Sequence, residues 1–230
     1  MDLIETGLKN PIKHWYYEHK FWFITSSESW KKNEVNSLVD IGAGSALFSK
    51  ELLKNRTVKS ATAVDTGYLE DSENTELGIS YRRSVSYKGF THFLLTDVLE
   101  HIEDDAAFLS EIVLTADSGS SFIITVPALM SLWSGHDVYL KHYRRYRKTE
   151  LQELALKAGL NVHSLRYTYS TLFPIAYLQR KYFSGDSDTS QMKENGFLVS
   201  IILRLLLIPD RWISFLPFGV SLYLEAYKDV

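Results

Sequence analysis

Short apolar runs and helix-spaced apolar stripes alternate along this chain. Ser37 to Gly44 starts apolar and ends in two glycines, which predicts a strand running into a turn. A helical pattern follows from Leu47 to about Asn55. Lys59 to Thr66 is apolar in its middle and ends on Asp65, so it reads as a second strand. Tyr68 to Gly78 is polar and acidic and reads as a loop or short helix. Ser80 to Val85 reads as a short exposed strand, and His92 to Val98 as a buried one. Phe108, Leu109, Ile112, Val113 and Ala116 then share one helix face behind Asp104 or Asp105 as cap. Ser121 to Val126 is another buried strand, stopped by Pro127. Thr149 with Gln152 fits a capping box for the helix carrying Leu151, Leu154, Ala155 and Ala158, which Gly159 ends. Asn161 to Tyr169 and Val220 to Tyr227 read as the last strands.

Strands alternating with helices predict a mainly parallel sheet covered on both faces. Glycine turns at strand ends put a ligand at the carboxyl edge of such a sheet. Residues 1–230, 45% of them hydrophobic, suit a single α/β domain with additions. One addition is the aromatic-rich helix His14 to Trp30, within a helical lid over about 10–32. The other is an apolar helical insertion over about 172–218.

Charge and cysteine usage narrow the functions. The net charge of −3 gives no basic field for nucleic acid, and the short basic run Lys141 to Lys148 does not change that. Having no cysteine excludes disulfides, thiolate metal sites and a cysteine nucleophile. A cytoplasmic location is compatible with that, and Met1 to Asn10 lacks the layout of a signal peptide. No apolar stretch reaches the roughly 18 residues of a spanning helix.

The chemistry concentrates at Asp40-Ile41-Gly42-Ala43-Gly44-Ser45-Ala46. A dinucleotide fingerprint needs a third glycine where Leu47 stands, and no Gly-Lys-Ser/Thr follows for a phosphate loop. Asp40 would face an ammonium group or order the turn. Asp65, at the end of the second strand, can accept both hydroxyls of a ribose. The implied ligand has a ribose, a cationic end and no pyrophosphate, which describes S-adenosylmethionine.

Here the chain resembles the class I S-adenosylmethionine-dependent methyltransferases, strongly over Ser37 to Gly159. Asp40 to Gly44 looks like the family's first motif, with Ala46 at its usual third glycine. Ala63-Val64-Asp65 looks like its acidic second-strand end. Asp97-Val98-Leu99-Glu100-His101-Ile102 looks like the fourth-strand motif of the branch acting on small molecules and lipids. The resemblance implies a Rossmann-like three-layer sandwich. Its sheet would be mostly parallel and seven-stranded, with the antiparallel last strand inserted beside the fifth. It implies S-adenosylmethionine as cofactor and S-adenosylhomocysteine as product. The cofactor set becomes Tyr17, Asp40, Gly42, Ala43, Gly44, Asp65, Thr66, Asp97 and Val98. Family members usually offer adenine an acidic or amide group after the third strand; Ser84 and Ser86 are the side-chain acceptors available here.

Plainer readings accompany these roles. Asp97 also suits a cap, His101 and Glu100 suit structural hydrogen bonding, and Tyr17 suits packing against the sheet as well as a lid. The segment Trp133 to Tyr146 is expected to build the acceptor pocket through Trp133, Tyr143, Arg144 and Arg145, with His136 or His142 as base. Its plainer reading is a solvated loop of paired charges. No metal set is assigned.

The expected reaction is methyl transfer to an oxygen or nitrogen of a small-molecule or lipid-linked acceptor. The alternatives are a nicotinamide-dependent oxidoreductase and an idle membrane-associated binding protein. Residues 197–218 need covering: by the protein's own core, by a second copy in a homodimer, or by the inner membrane face with Arg204 and Arg211 at the head groups.

Overall fold

The computed structural model describes residue 8 and residues 10–32, 35–183 and 196–229. An eight-stranded sheet runs through it. Four strands pair in parallel around the glycine turn: β1 (Val35–Ile41), β2 (Val58–Val64), β4 (Ile79–Arg82) and β5 (His92–Thr96). β6 (Ser121–Pro127) continues the parallel set, while β7 (Leu160–Thr168) and β8 (Ser221–Lys228) are antiparallel neighbours. β8 lies between β6 and β7, antiparallel to both, as the resemblance implied.

The count of seven strands needs correcting. Ser72–Asn74, inside the stretch read as loop or short helix, forms β3, antiparallel to β4 at the sheet edge. All three residues are exposed, so no apolar alternation marks the strand. The order is β3-β4-β2-β1-β5-β6-β8-β7.

Alternation along each strand divides the core into two layers. Val39, Phe93, Phe122 and Leu224 face α4 (Asp105–Thr115) and α6 (Lys148–Lys157), meeting Leu109, Ile112 and Leu151. Leu38, Leu94, Ile123 and Tyr223 point to the opposite side. There they meet α1 (Trp15–Ser26) and α3 (Leu47–Lys54) through Phe23, Ile24, Phe48 and Leu52. This is the three-layer Rossmann-like sandwich.

Two local expectations shift. The N-terminal helix breaks at Ser27, whose extended backbone separates α1 from α2 (Glu28–Lys32). α6 starts earlier than the Thr149 box implies: Arg147 stands at its N-cap, and the Arg147 N–H donates to Glu150 Oε2 at 2.7 Å. A carboxylate three residues into the helix serves this role wherever the backbone turns.

The insertion forms α7 (Phe173–Phe183) and α8 (Phe197–Leu207). α8 docks on α1: Leu207 is buried beside Tyr169 and Leu172, and Arg204 Nε donates to Glu18 Oε2 at 2.8 Å. Arg211 lies over the Trp22 ring at 5.1 Å. Both arginines are thus turned to α1, not toward a head-group layer, because a nearby carboxylate and an aromatic face compete for them. Asp210, fully buried, ties this corner together. Its carboxylate accepts the Tyr169 and Ser170 N–H groups, each at 2.7 Å, and His19 Nε2 lies 2.9 Å away. No helix among the described residues is long and apolar enough to cross a membrane.

Candidate active site

β1 delivers the chain to Gly42, where φ is +65°. A Cβ on Gly42 would lie 2.7 Å from Val98 Cγ2, so a side chain has no room. The turn is then clamped from β2. Asp65 Oδ2 accepts the Gly44 N–H and Oδ1 accepts the Gly67 N–H, both at 2.8 Å. The Tyr68 hydroxyl donates to the Gly44 carbonyl at 2.8 Å. Each Asp65 oxygen keeps a lone pair for a further donor, as a ribose diol would require.

Ala46 closes the turn at φ +54°, the left-handed region that costs a non-glycine residue about 1–2 kcal/mol. Asp40 lies beneath it, 2% exposed, and Oδ2 accepts the Ser49 hydroxyl at 2.6 Å. Burial pushes its carboxyl up to about 6. This bond ties strand β1 to helix α3, so the observed contact of Asp40 is with the turn's own scaffold.

A cavity of about 370 Å³ opens at the carboxyl ends of β1, β2 and β5. Gly42, Asp65 and Thr66 line it from the first two strands, and Asp97, Val98, His101 and Ile102 from the segment after β5. Ser84, Arg83, Tyr87 and Phe108 complete the wall. Ser84 thus reaches the cavity, beside an aromatic and aliphatic surface that the sequence did not single out. A flat heteroaromatic ring suits Tyr87, Ile102 and Phe108.

Asp97 occupies a left-handed position at φ +55°, which an aspartate tolerates better than most residues. Its Oδ1 accepts the Thr125 hydroxyl at 3.1 Å, and its Oδ2 pairs with the Lys20 ammonium from α1. Burial opposes ionisation of Asp97, but Lys20 beside it holds the carboxyl below its ordinary value. Burial likewise opposes charge on Lys20, and Asp97 reverses that, so the ammonium's pKa is raised. Lys20 also sits 4.9 Å from the Tyr16 ring centre. It was missed in the sequence; the available signal was a lone lysine within the aromatic run His14 to Phe23. Tyr17 is buried against Phe48, at 6.3 Å between ring centres, and stands outside the wall of this cavity. Ala43 and Gly44, both buried, also lie outside that wall, where their N–H groups bind Val64 O and Asp65.

The segment after β6 forms a second cluster, centred on Asp137 of α5 (Gly135–Tyr139). Asp137 is fully buried, and its Oδ2 accepts the Ser134 N–H at 2.9 Å. His142 Nδ1 lies 2.9 Å from its Oδ1, and Arg145 reaches it through Nε at 2.7 Å and Nη2 at 3.1 Å. Arg180 of α7 stands 3.9 Å away. Burial works against the Asp137 charge, and these partners outweigh it, holding the carboxyl well below its usual range. Arg145 also donates to the Ala128 carbonyl at 3.2 Å, so its guanidinium is committed to protein partners. Arg144 pairs with Asp105 at 2.8 Å, Trp133 is half-buried, and Tyr143 is exposed. Burial pushes His136 down to about 4, leaving a neutral imidazole with little pull on a proton at pH 7. His142 is nearer the cavity: its ring centre lies 4.6 Å from that of His101, which lines the wall. Glu100, between Asp97 and this pair, is fully buried; burial first, then the Asp97 charge, raises its carboxyl well above the ordinary value.

Comparison with known proteins completes the picture. A family model described as a methyltransferase domain matches residues 14–165. The chain belongs to that family. It is an S-adenosylmethionine-dependent methyltransferase, which sets aside the nicotinamide and idle-partner readings. No curated protein sequence matches it. Among solved structures, the plantazolicin methyltransferase BamL, crystallised with a triazolic desmethylPZN analog and SAH, matches at 15% identity and TM-score 0.55. It covers 95% of this chain and 85% of that one. Phosphoethanolamine N-methyltransferase 2 of Haemonchus contortus, with S-adenosyl-L-methionine, matches at 13% identity and TM-score 0.57, over 96% of this chain and 55% of that one. The [4+2]-cyclase SpnF matches at 12% identity and TM-score 0.59, over 93% and 81%. At such identities these structures support the fold, and the same fold carries a cyclase as well as methyltransferases.

Proposed function

We propose that this methyltransferase acts on an oxygen or nitrogen of a small-molecule or lipid-linked acceptor, with its methyl donor in the cavity beside Gly42. The carrying observation is that Gly42, Asp65 and Asp97 line one cavity, whose wall also holds Tyr87, Ile102 and Phe108 for a heteroaromatic base. Asp65, already oriented by the Gly44 and Gly67 N–H groups, takes the ribose hydroxyls. Gly42, lacking a Cβ, lets the backbone come close, with Thr66 and Val98 as neighbours on the wall. Asp97, on the cavity wall, offers its carboxylate to the ammonium at the amino-acid end of the donor, with buried Lys20 keeping it ionised.

When bound, S-adenosylmethionine supplies a methyl group already activated on a sulfonium. The protein's work is then placement, and holding the acceptor in line supplies much of the rate. For a base, His142 is the candidate, since Asp137 engages Nδ1 and leaves Nε2 to take a proton, while His136 is too weakly basic. Arg145 supports this loop through Asp137 in place of the substrate contact expected of it. Trp133, Tyr143 and Arg144 remain candidates for the acceptor's outer rim.

The test is calorimetry of the purified chain with S-adenosylhomocysteine, alongside Asp65→Ala. Tight binding weakened by the substitution supports the assignment; unchanged affinity in the variant sinks the ribose role.

The lipid-linked form of the acceptor rests on one further observation. Phe197, Leu198, Ile202 and Leu205 of α8, with Trp212 and Phe215 beyond it, are exposed. An apolar face of that kind suits a greasy acceptor or the surface that carries it. Transfer of labelled methyl into the organic-extractable fraction of a cell extract would favour it, and label confined to the aqueous fraction would exclude it.

A further inference from the structure

We propose that Glu100, His101 and His142 bind one divalent transition-metal ion at the edge of the donor cavity. One ligand atom from each lies within 4.8 Å of the others. Small side-chain rotations bring such a set to the roughly 2.0–2.2 Å bonds of an ion held by imidazole and carboxylate.

The second observation is Glu100 itself. It is 0% exposed, and neither carboxylate oxygen has a hydrogen-bond partner among the described residues. A buried carboxylate without a partner is costly, and a cation shared with two imidazoles removes the cost. The backbone has already fixed the ligands relative to one another. The Tyr143 N–H donates to the Glu100 carbonyl at 2.7 Å, which sets His142 beside the turn carrying Glu100 and His101. The two imidazole rings stand 4.6 Å apart and nearly perpendicular, at 82°.

His142 carries the outer support that metal-bound imidazoles require. Its Nδ1 is engaged by the Asp137 carboxylate at 2.9 Å, leaving Nε2 as the ligating nitrogen, which in the ion-bound chain no longer serves as a base. Arg145 holds Asp137 in turn. The chain has no cysteine, so the donor set is two nitrogens and one oxygen. That set suits zinc, iron, manganese or cobalt and leaves coordination positions open. His101 lines the cavity, so the ion would stand at the cavity's edge. A hydroxyl acceptor that ligates the ion releases its proton to solvent more readily, and the resulting oxygen anion takes the methyl group. Binding of the ion is independent of the methyl-transfer reading; only its service to the acceptor rests on it.

The experiment uses the whole chain, stripped with a chelator and dialysed. Titration with Co²⁺ is followed by visible absorption, and with Zn²⁺ by calorimetry. One ion per chain is expected, with affinity at least tenfold weaker in His142→Ala and in Glu100→Gln. His163→Ala, on the distant strand β7, should leave it unchanged. Circular dichroism confirms that each variant is folded, and Zn²⁺ should raise the melting temperature of the native chain but not of His142→Ala. No saturable one-to-one uptake, or equal uptake by His142→Ala, overturns the proposal. S-adenosylhomocysteine calorimetry on the same samples separates the two readings. Donor binding without metal uptake sinks the metal site alone; metal uptake without donor binding sinks the donor assignment alone.

Discussion

The two carboxylates Asp65 and Asp137 show how similar sequence signals become different physical objects. Asp65 is half-buried at a strand end, held by two backbone N–H groups, and lines a cavity. Asp137 is fully buried in a loop-borne helix and surrounded by His142, Arg145 and Arg180. The first has lone pairs left for a ligand. The second consumes the charges that made its segment look like a substrate site. A charge-rich motif therefore reads as a binding surface only when its charges are not already spent on each other.

The sharpest break in that comparison is Asp137→Ala. It leaves Arg145 buried without its carboxylate, and we expect a loss of about 3–5 kcal/mol in urea unfolding. A loss below about 1 kcal/mol would show that the cluster is not structural. Asp65→Ala should do the reverse: a melt within a few degrees of native, but S-adenosylhomocysteine affinity lower by roughly 10–100-fold, or about 1.4–2.8 kcal/mol.

Asp40 supplies a third, graded case. Its folded carboxyl sits at about 6, above the ordinary 3.8, so the folded state binds more protons between those values. Its contribution therefore destabilises progressively as pH rises through that window. Asp40→Asn should gain roughly 1–2 kcal/mol at pH 8 and almost nothing at pH 4, read from melts at both. Equal gains at the two pH values would rule out ionisation as the cause. The smallest effect is expected at Ala46, where φ is +54°. Ala46→Gly relieves left-handed strain but loosens the unfolded chain, for a net gain of about 0.5 kcal/mol. A net loss would mean that methyl packing at this fully buried position outweighs the strain.

Much of the fold was legible. Apolar runs and helix-spaced stripes located the β1, β2, β5, β6, β7 and β8 strands to within a few residues, because burial on one or both faces forces those periods. The edge strand β3 escaped because it has no buried face to impose one. The glycine turn and the strand-end carboxylate Asp65 were legible because a close backbone approach and a carboxylate that clamps it are local demands on residue type. Lys20 was not, since its partner Asp97 lies 77 residues away. The same holds for His19 and Asp210, 191 residues apart, and for the Arg204 bond to Glu18 that turns the insertion's arginine inward.

The sequence alone determined the alternation of elements, the layered sheet and the strand-end glycine turn, because each follows from local periodicity and from a position that only glycine can occupy. The tertiary structure alone decided which charged groups face a cavity and which neutralise one another. It also set Glu100 beside His101 and His142. Electrostatic and hydrogen-bond partners are chosen by distance in space, and that distance is fixed only after the sheet has brought remote segments together.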